Sequence, residues 1–152
     1  MKVFYGCCTG AHFSQLAAGI HLGWYTTPES IELCSACQKS YTWHQVDQVR
    51  FRGRDDQGRE IYTIGIALNP PLFTRAIHDL FALYGYTSAD YHYVDTTACG
   101  GNVGKFGYWL SGLPGMLTVG SKLVTGTMRN SWPRLNQIVT DTKAFLDSRE
   151  LN

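Results

Sequence analysis

A short run of reactive and small residues lies close to the start of the chain. Residues 7–14 read Cys-Cys-Thr-Gly-Ala-His-Phe-Ser; they follow the strand-like run Lys2–Tyr5 and precede apolar residues at helical spacing. We therefore predict a loop between a strand and a helix N-terminus. The first amides of a helix lack intrahelical partners and, with the helix dipole, attract anions. Because the same field stabilises a thiolate, the segment predicts an anion-binding loop with Cys7 as nucleophile.

The side chains of this hypothesis fall into two groups. We predict three catalytic residues: Cys7, His12 as a general acid or base, and Asp95, which follows a predicted strand. The Asp95 carboxylate could hold a metal or orient either His12 or a substrate hydroxyl. The predicted ligand-binding residues are Thr9, Gly10, Ser14, Asn102 and Arg129.

Each of these residues also has a purely structural interpretation. Gly10 would only form the turn, Cys7 and Cys8 would be small buried residues, and His12 would be a satisfied polar side chain. Asp95 would cap a turn, and Arg129 would be a solvated surface charge. Sequence alone leaves both interpretations open.

A second chemical motif is the pair Cys34 and Cys37, spaced as C-x-x-C. With His44 it would supply three zinc ligands, whereas a structural zinc site normally takes four ligands, often from two such pairs. A redox pair is the other functional interpretation, since this spacing lowers the pKa of a thiol. Two ordinary thiols on a short helix remain the favoured interpretation.

Hydrophobic patterning predicts the elements that must position these residues. Strands are predicted at Lys2–Tyr5, Val49–Gly53, Glu60–Ile66, Tyr91–Asp95 and Lys122–Thr125. Helices are predicted to end near Gly23, to run from Pro28 to about Cys37 and over Leu72–Tyr84, and to begin again near Asn130 or Ser131. The alternation indicates one α/β, Rossmann-like domain over residues 1–152, with three layers, a mostly parallel sheet and one β-hairpin.

In such a sheet, ligands bind beyond the carboxyl ends of the strands. Three loops are predicted there: Gly6–Ser14, Thr96–Asn102 and Gly126–Ser131. They hold most of the small and polar residues that the core does not explain.

Composition excludes several function classes. Thirteen Lys and Arg against twelve Asp and Glu give a net charge of +1, which argues against nucleic acid or an anionic membrane as the main partner. The arginines of the predicted hairpin are interleaved with acids, which favours a self-paired surface. No apolar run reaches the roughly 18 residues of a membrane span, and the start lacks a signal-peptide pattern. Together with five unevenly spaced cysteines, this predicts a cytoplasmic protein with reduced thiols.

Several segments are similar to an uncharacterised bacterial family known as domain of unknown function 3189. Its members open with a strand, then C-x-G-G-x-H-x-S, then A-A-x-I-H-L-G, which resembles Val3–Gly23 here, with Thr9 replacing the first glycine of the pair. Residues 56–65 resemble the family pattern D-x-G-N-E-V-Y-x-L-G, with Arg59 in place of the usual asparagine. The resemblance implies the fold and the importance of the first loop, and supplies no activity.

Two other families share features of the loop itself. Cys7-x-Thr9-Gly10-x-x-x-Ser14 resembles the phosphocysteine loop of phosphotransferase-system IIB proteins, where a cysteine accepts phosphate within a cradle of amides. It also resembles the C-x5-R-S loop of low-molecular-weight phosphatases and arsenate reductases. Phe13 stands where their arginine would be, so a tyrosine-phosphatase mechanism is not expected.

Three functional hypotheses follow. The leading one is a cysteine-dependent phosphoryl- or acyl-transfer enzyme acting on a small anionic ligand, with Ser14 and loop amides as oxyanion donors. The second is a non-catalytic sensor or partner-binding module that uses the same pocket. The third is a zinc or redox role of Cys34 and Cys37. The sequence identifies no cofactor. The high aromatic content, 13%, fits a pocket lined by aromatic side chains or a contact between copies of the chain in a homo-oligomer.

Overall fold

The computed structural model describes residues 1–8, 10–33, 48–66, 70–101, 110, 113 and 115–150. Four strands are described: β1 Lys2–Cys7, β2 Val49–Arg54, β3 Glu60–Gly65 and β4 Tyr91–Asp95. The described α-helices are α1 Phe13–His21, α2 Pro70–Leu83, α3 Leu117–Asn130 and α4 Trp132–Glu150. Two 3₁₀ segments, Pro28–Leu33 and Thr97–Cys99, complete the order.

The strands form one mixed sheet in the order β2-β3-β1-β4. β1 pairs in parallel with both β3 and β4, whereas β2 pairs antiparallel with β3 through the predicted hairpin. The register sets Cys7 opposite Gly65 on one side, and Gly6 opposite Asp95 on the other. The end of β1 is therefore enclosed by the ends of two parallel neighbours.

Alternation along β1 divides its side chains between two hydrophobic layers. Val3, Tyr5 and Cys7 enter the larger core, which also contains α1 residues such as Leu16 and α4 residues such as Leu135. The opposite face carries an aromatic row in register across all four strands. That row consists of Phe51, Tyr62, Phe4 and Tyr93. α2 packs on this second face through Ile77, Phe73 and Phe81.

Most predicted elements are confirmed. The hairpin lies where the Asp-Asp-Gln-Gly turn predicted it, and β4 has the predicted bounds Tyr91–Asp95. α1 ends as expected before Gly23, whose φ of +73° suits glycine. The α/β fold with a mostly parallel sheet and helices on both faces is confirmed.

The predicted strand Lys122–Thr125 and the predicted loop Gly126–Ser131 are wrong, because both segments lie within or at the end of α3. β-Branched residues and glycines suggested a strand there, but burial of Met128 in the core favours the helix. The Thr127 hydroxyl donates to the Leu123 carbonyl at 2.8 Å, which satisfies this polar group inside the helix.

A buried polar chain fixes the other end of the sheet, where β1 and β3 begin. Tyr5 Oη lies 2.7 Å from His21 Nδ1, and His21 Nε2 lies 3.0 Å from Asp55 Oδ2 in the hairpin turn. Asp55 also pairs with buried Arg59, which reaches Asp147 of α4 at 2.5 Å. Burial lowers the pKa of His21, so the neutral ring accepts from the Tyr5 hydroxyl and donates to Asp55. His21 is therefore a buried packing residue with a hydrogen-bond partner at each ring nitrogen.

The backbone of the first loop requires glycine at position 10. Gly10 has a φ of +68°, and a Cβ atom there would lie 2.5 Å from the Gly65 amide nitrogen. We expect Gly10→Ala to destabilise the protein by about 2–5 kcal/mol, combining left-handed strain with overpacking. Gly58→Ala is the matched control, because its φ is +75° but nothing lies within 4 Å of the new atom. Its expected cost is about 1–2 kcal/mol, from strain alone.

Equilibrium denaturant unfolding of both variants measures the difference. Equal losses of unfolding free energy would contradict the close approach of the loop to β3.

Candidate functional site

The candidate site lies at the carboxyl end of the sheet, where β1 leads into α1. The chain passes from β1 towards β3 on one side, and later reaches β4 on the opposite side of β1. Such a reversal of strand order opens a crevice beyond the strand ends, which is where open α/β sheets bind ligands. The loop after β1 and the turn after β4 both border this position.

Two of the predicted residues meet directly. Cys7 Sγ lies 3.2 Å from Ser14 Oγ, a hydrogen bond in which either atom can donate. Both residues are buried, with 2% of Cys7 and 0% of Ser14 exposed. The Cys7 carbonyl accepts the amides of Gly10 at 3.1 Å and Ile66 at 3.0 Å. The loop backbone thus holds the cysteine in place beneath the start of the helix.

The start of α1 is electrostatically suited to a negative ligand. His12 is its N-cap residue, and no side-chain hydrogen bond caps the helix there. The first turn also contains no acidic residue. Because the positive end of the helix dipole is not neutralised by its own first turn, an anion bound there would be stabilised.

His12 lies in an environment that favours its neutral form. Burial lowers the pKa of the imidazole from 6.5 to about 4. At neutral pH the ring is therefore uncharged, with one nitrogen donating and the other accepting. Such a ring can act as a base or a neutral donor, whereas the protonated acid predicted as one option for His12 is disfavoured.

Asp95 lies at the same end of the sheet but has a local partner. The side chain is exposed, and its Oδ1 accepts a hydrogen bond from the Thr97 amide at 2.8 Å. This is the turn-capping contact of the structural interpretation given above for Asp95. The next residue, Thr96, is buried and holds β4 against β1, because its amide and hydroxyl both bind the Gly6 carbonyl. The Asp95 Oδ1 contact supports the structural interpretation.

Tyr93 and Cys8 lie next to the site, and neither was predicted from sequence as a functional residue. A Cβ atom on Gly6 would overlap the Tyr93 hydroxyl, so the phenol lies across the strand just before the cysteines. Burial raises the pKa of Tyr93, and negative charge on Asp95, Cys7 or Cys8 adds to that effect. Cys8 is partly exposed, unlike Cys7. The sequence signal was Gly6 within a strand, which often marks close approach by another group.

The cation predicted for this site is near an acidic side chain of the first 3₁₀ segment. Arg129 is exposed on the last turn of α3, and its charge helps to lower the pKa of Glu29, after the Glu29 amide and the Thr27 side chain. Arg134 of α4 instead donates to the Ala98 carbonyl at 3.3 Å, within the turn after β4. Arg134 is thus an arginine at this end of the sheet that only the packing of α4 could identify.

Other predicted residues lie outside the described part of the chain. These are Thr9, Asn102, Cys34, Cys37 and His44. Among the described residues, no group of three or more His, Cys, Asp or Glu is placed to hold a metal ion. Within the same residues, no helix combines the length and apolar character that a bilayer crossing demands.

Comparison with known proteins identifies the family. Residues 2–144 match the family described as protein of unknown function DUF3189, so the chain belongs to it. This confirms the resemblance drawn from the opening motif. Comparisons with curated proteins and with solved structures gave no match.

The acid sensitivity of the fold tests the environment of His12. Unfolded His12 takes up a proton near pH 6.5, while the folded side chain resists until about pH 4. The contribution of neutral His12 to the free energy of unfolding is therefore fully present above pH 6.5. It is lost progressively as the pH falls towards 4. Linkage gives a loss of about 2 kcal/mol at pH 5 from this residue.

Between pH 7.5 and pH 5, we expect the free energy of unfolding of His12→Gln to fall by about 2 kcal/mol less than that of the wild type, because glutamine does not titrate. Denaturant unfolding at both pH values measures this. Burial also lowers the pKa of His21 and His92, so only the difference between variant and wild type reports His12. Identical losses in both proteins would contradict the buried environment of the ring.

Proposed function

We propose that this DUF3189 protein binds a small oxyanion at the start of α1 and uses Cys7 as a nucleophile in phosphoryl or acyl transfer. The observation that carries the proposal is the contact between Cys7 Sγ and Ser14 Oγ, 3.2 Å apart at the junction of the central strand and the helix. A hydroxyl that donates to sulfur favours the thiolate, which is the reactive form. Ser14 would therefore activate Cys7.

The position of this pair supports the proposal further. β1 has parallel neighbours on both sides, so its end lies at the centre of the sheet and beside the reversal of strand order. The uncapped first turn of α1 offers its amides to negatively charged oxygen atoms in the same region. A nucleophile and an oxyanion site would thus be adjacent.

The proposed reaction runs in two steps. The lone pair of the Cys7 thiolate forms a bond to the phosphorus or acyl carbon of the bound substrate. The bond from that atom to the leaving oxygen breaks, and the oxygen departs with the electron pair and takes a proton from solvent. Water then attacks the covalent intermediate, breaks the bond to sulfur and restores the thiolate.

Neighbouring groups have defined parts in this scheme. Neutral His12 would accept a proton from the attacking water, since its pKa near 4 leaves the imidazole unprotonated at neutral pH. Tyr93, whose pKa is raised by burial, keeps its proton on the opposite face of the sheet and takes no direct part in the scheme. Gly10 would bring the loop backbone close to the ligand.

One observation favours a second function, binding without turnover. Cys7 is only 2% exposed, and its sulfur already has a hydrogen-bond partner. A ligand sensor would need the amides of the loop and not an accessible sulfur. The two functions share the binding step and differ in whether sulfur becomes covalently modified.

Alkylation tests the activation of Cys7. In the wild type we expect iodoacetamide to modify Cys7 at pH 7 in the native state, and Ser14→Ala to slow that reaction about tenfold by removing the stabilising hydroxyl. Peptide mass spectrometry separates Cys7 from Cys8, whose rate serves as the internal control. A Cys7 rate that is unchanged in the variant would remove the proposed role of Ser14.

Inorganic phosphate tests the binding step shared by both functions. We expect about 10 mM phosphate to raise the midpoint of thermal unfolding and to protect Cys7 from alkylation, because a ligand that binds only the folded state stabilises it. Chloride at equal ionic strength is the control. Phosphate that neither stabilises nor protects would contradict the oxyanion site. Protection in a protein that never forms a sulfur-bound intermediate with acyl or aryl phosphates would support the sensor.

A further inference from the structure

α2 carries apolar residues on the side that faces away from the sheet. Its inward side is provided by Ile77, with Phe73 and Phe81 against the strands. Three leucines lie on the outer side, with exposed fractions of 64% for Leu72, 49% for Leu80 and 83% for Leu83. Large apolar side chains clustered on one helix face indicate an interaction surface more often than a solvated one.

These residues form one continuous stripe. Leu72, Ala76, Leu80 and Leu83 follow one another at intervals of four, four and three residues, which keeps them on one side of a helix. The small residue Ala76 is exposed within the stripe, where it allows a second helix to approach closely. At 1.5 Å per residue the stripe extends about 16 Å, or three turns.

Two opposite charges lie beside the stripe, on the adjoining side of the helix. Arg75 and Asp79 are both exposed. Although they are four positions apart on one helix, neither forms an ion pair with another described residue. Along the chain, Arg75 lies two residues before Ile77 and Asp79 two residues after it. When two copies of the helix meet in opposite directions, each arginine therefore faces the aspartate of the other copy.

We propose that two copies of this chain associate through the outer side of α2. The two helices are antiparallel, and the two-fold axis passes between them at the level of residue 77. In that arrangement Arg75 of each copy faces Asp79 of the other, so two ion pairs close the interface. Leu72 of each copy meets the region of Leu83 of the other, and the two Ala76 residues lie near the axis. The same patch serves both subunits, as in other two-fold dimers.

A second copy fits this surface better than a membrane does. A helix that binds an anionic lipid surface carries several Lys or Arg on its polar face, whereas the described charges of α2 include one arginine balanced by one aspartate. The balanced pair is what self-complementarity requires. The proposal rests on α2 alone and does not depend on the chemistry proposed for Cys7.

Charge reversal tests the antiparallel pairing. We expect Arg75→Glu and Asp79→Arg each to weaken self-association about tenfold or more, since each variant places like charges opposite one another twice. Mixing the two variants should restore association. The carboxylate introduced by Arg75→Glu in one copy would then face the guanidinium introduced by Asp79→Arg in the other, and the two unchanged side chains would also pair. A parallel arrangement would place positions 75 and 79 each opposite themselves, so the wild type would already have like charges facing one another. Neither single variant would then weaken association relative to the wild type.

Sedimentation velocity, on each variant and on the mixture, provides the measurement. Wild-type protein should dimerise at concentrations of about 10–100 μM, the range expected of a modest interface. Leu83→Glu should abolish the dimer, while Val119→Glu, at an exposed apolar residue of α3, should leave it intact. A wild type that stays monomeric at about 100 μM would overturn the proposal, as would a mixture that does not associate or a dimer that survives Leu83→Glu.

Discussion

The parallel pairing of β1 with both β3 and β4 is the constraint on which the candidate site depends. Because all three strands run in the same direction, Cys7 ends beside Gly65 and one residue past the pairing of Gly6 with Asp95. Only a central strand can place its following loop between two other strand ends. The loop passes so close to the Gly65 amide that a side chain at position 10 would collide with it. Glycine at this position avoids the collision.

The two cysteines that follow one another in sequence differ in burial, because β1 ends at Cys7 and Cys8 lies in the turn that follows it. Cys7 points into the larger core, where Ser14 of α1 contacts its sulfur. Gly6 lies on the opposite face, where the Tyr93 side chain crosses the strand. Negative charge on either thiol would add to the raised pKa of Tyr93. Adjacent residues of the same type therefore differ in burial and in neighbours. Their chemistry must be considered separately, even though the sequence presents them as a pair.

Local patterns were sufficient to predict the hairpin, the first helix and β4, because turn residues, helix caps and alternation act over a few positions. The same local patterns placed Cys7 near the end of a strand and Ser14 at the start of the next helix, so their contact depends on only a few intervening residues. They failed at Lys122–Thr125, where burial of Met128 overrides the preference of β-branched residues for strands. Tyr93 and Arg134 were not predicted as neighbours of the site because their placement depends on strand order and on how α4 packs, which no local pattern specifies.

The two ends of the sheet use polar groups in different ways. At the amino end, Tyr5, His21, Asp55 and Arg59 form a buried chain in which His21 has a partner at each nitrogen. Removing one member would leave buried polar groups without partners, so this end is suited to stability. At the carboxyl end, the start of α1 has no side-chain cap and no acidic residue in its first turn, and burial keeps His12 neutral. A negative ligand would supply the charge that the helix dipole favours there, which is the physical reason to seek function at this end.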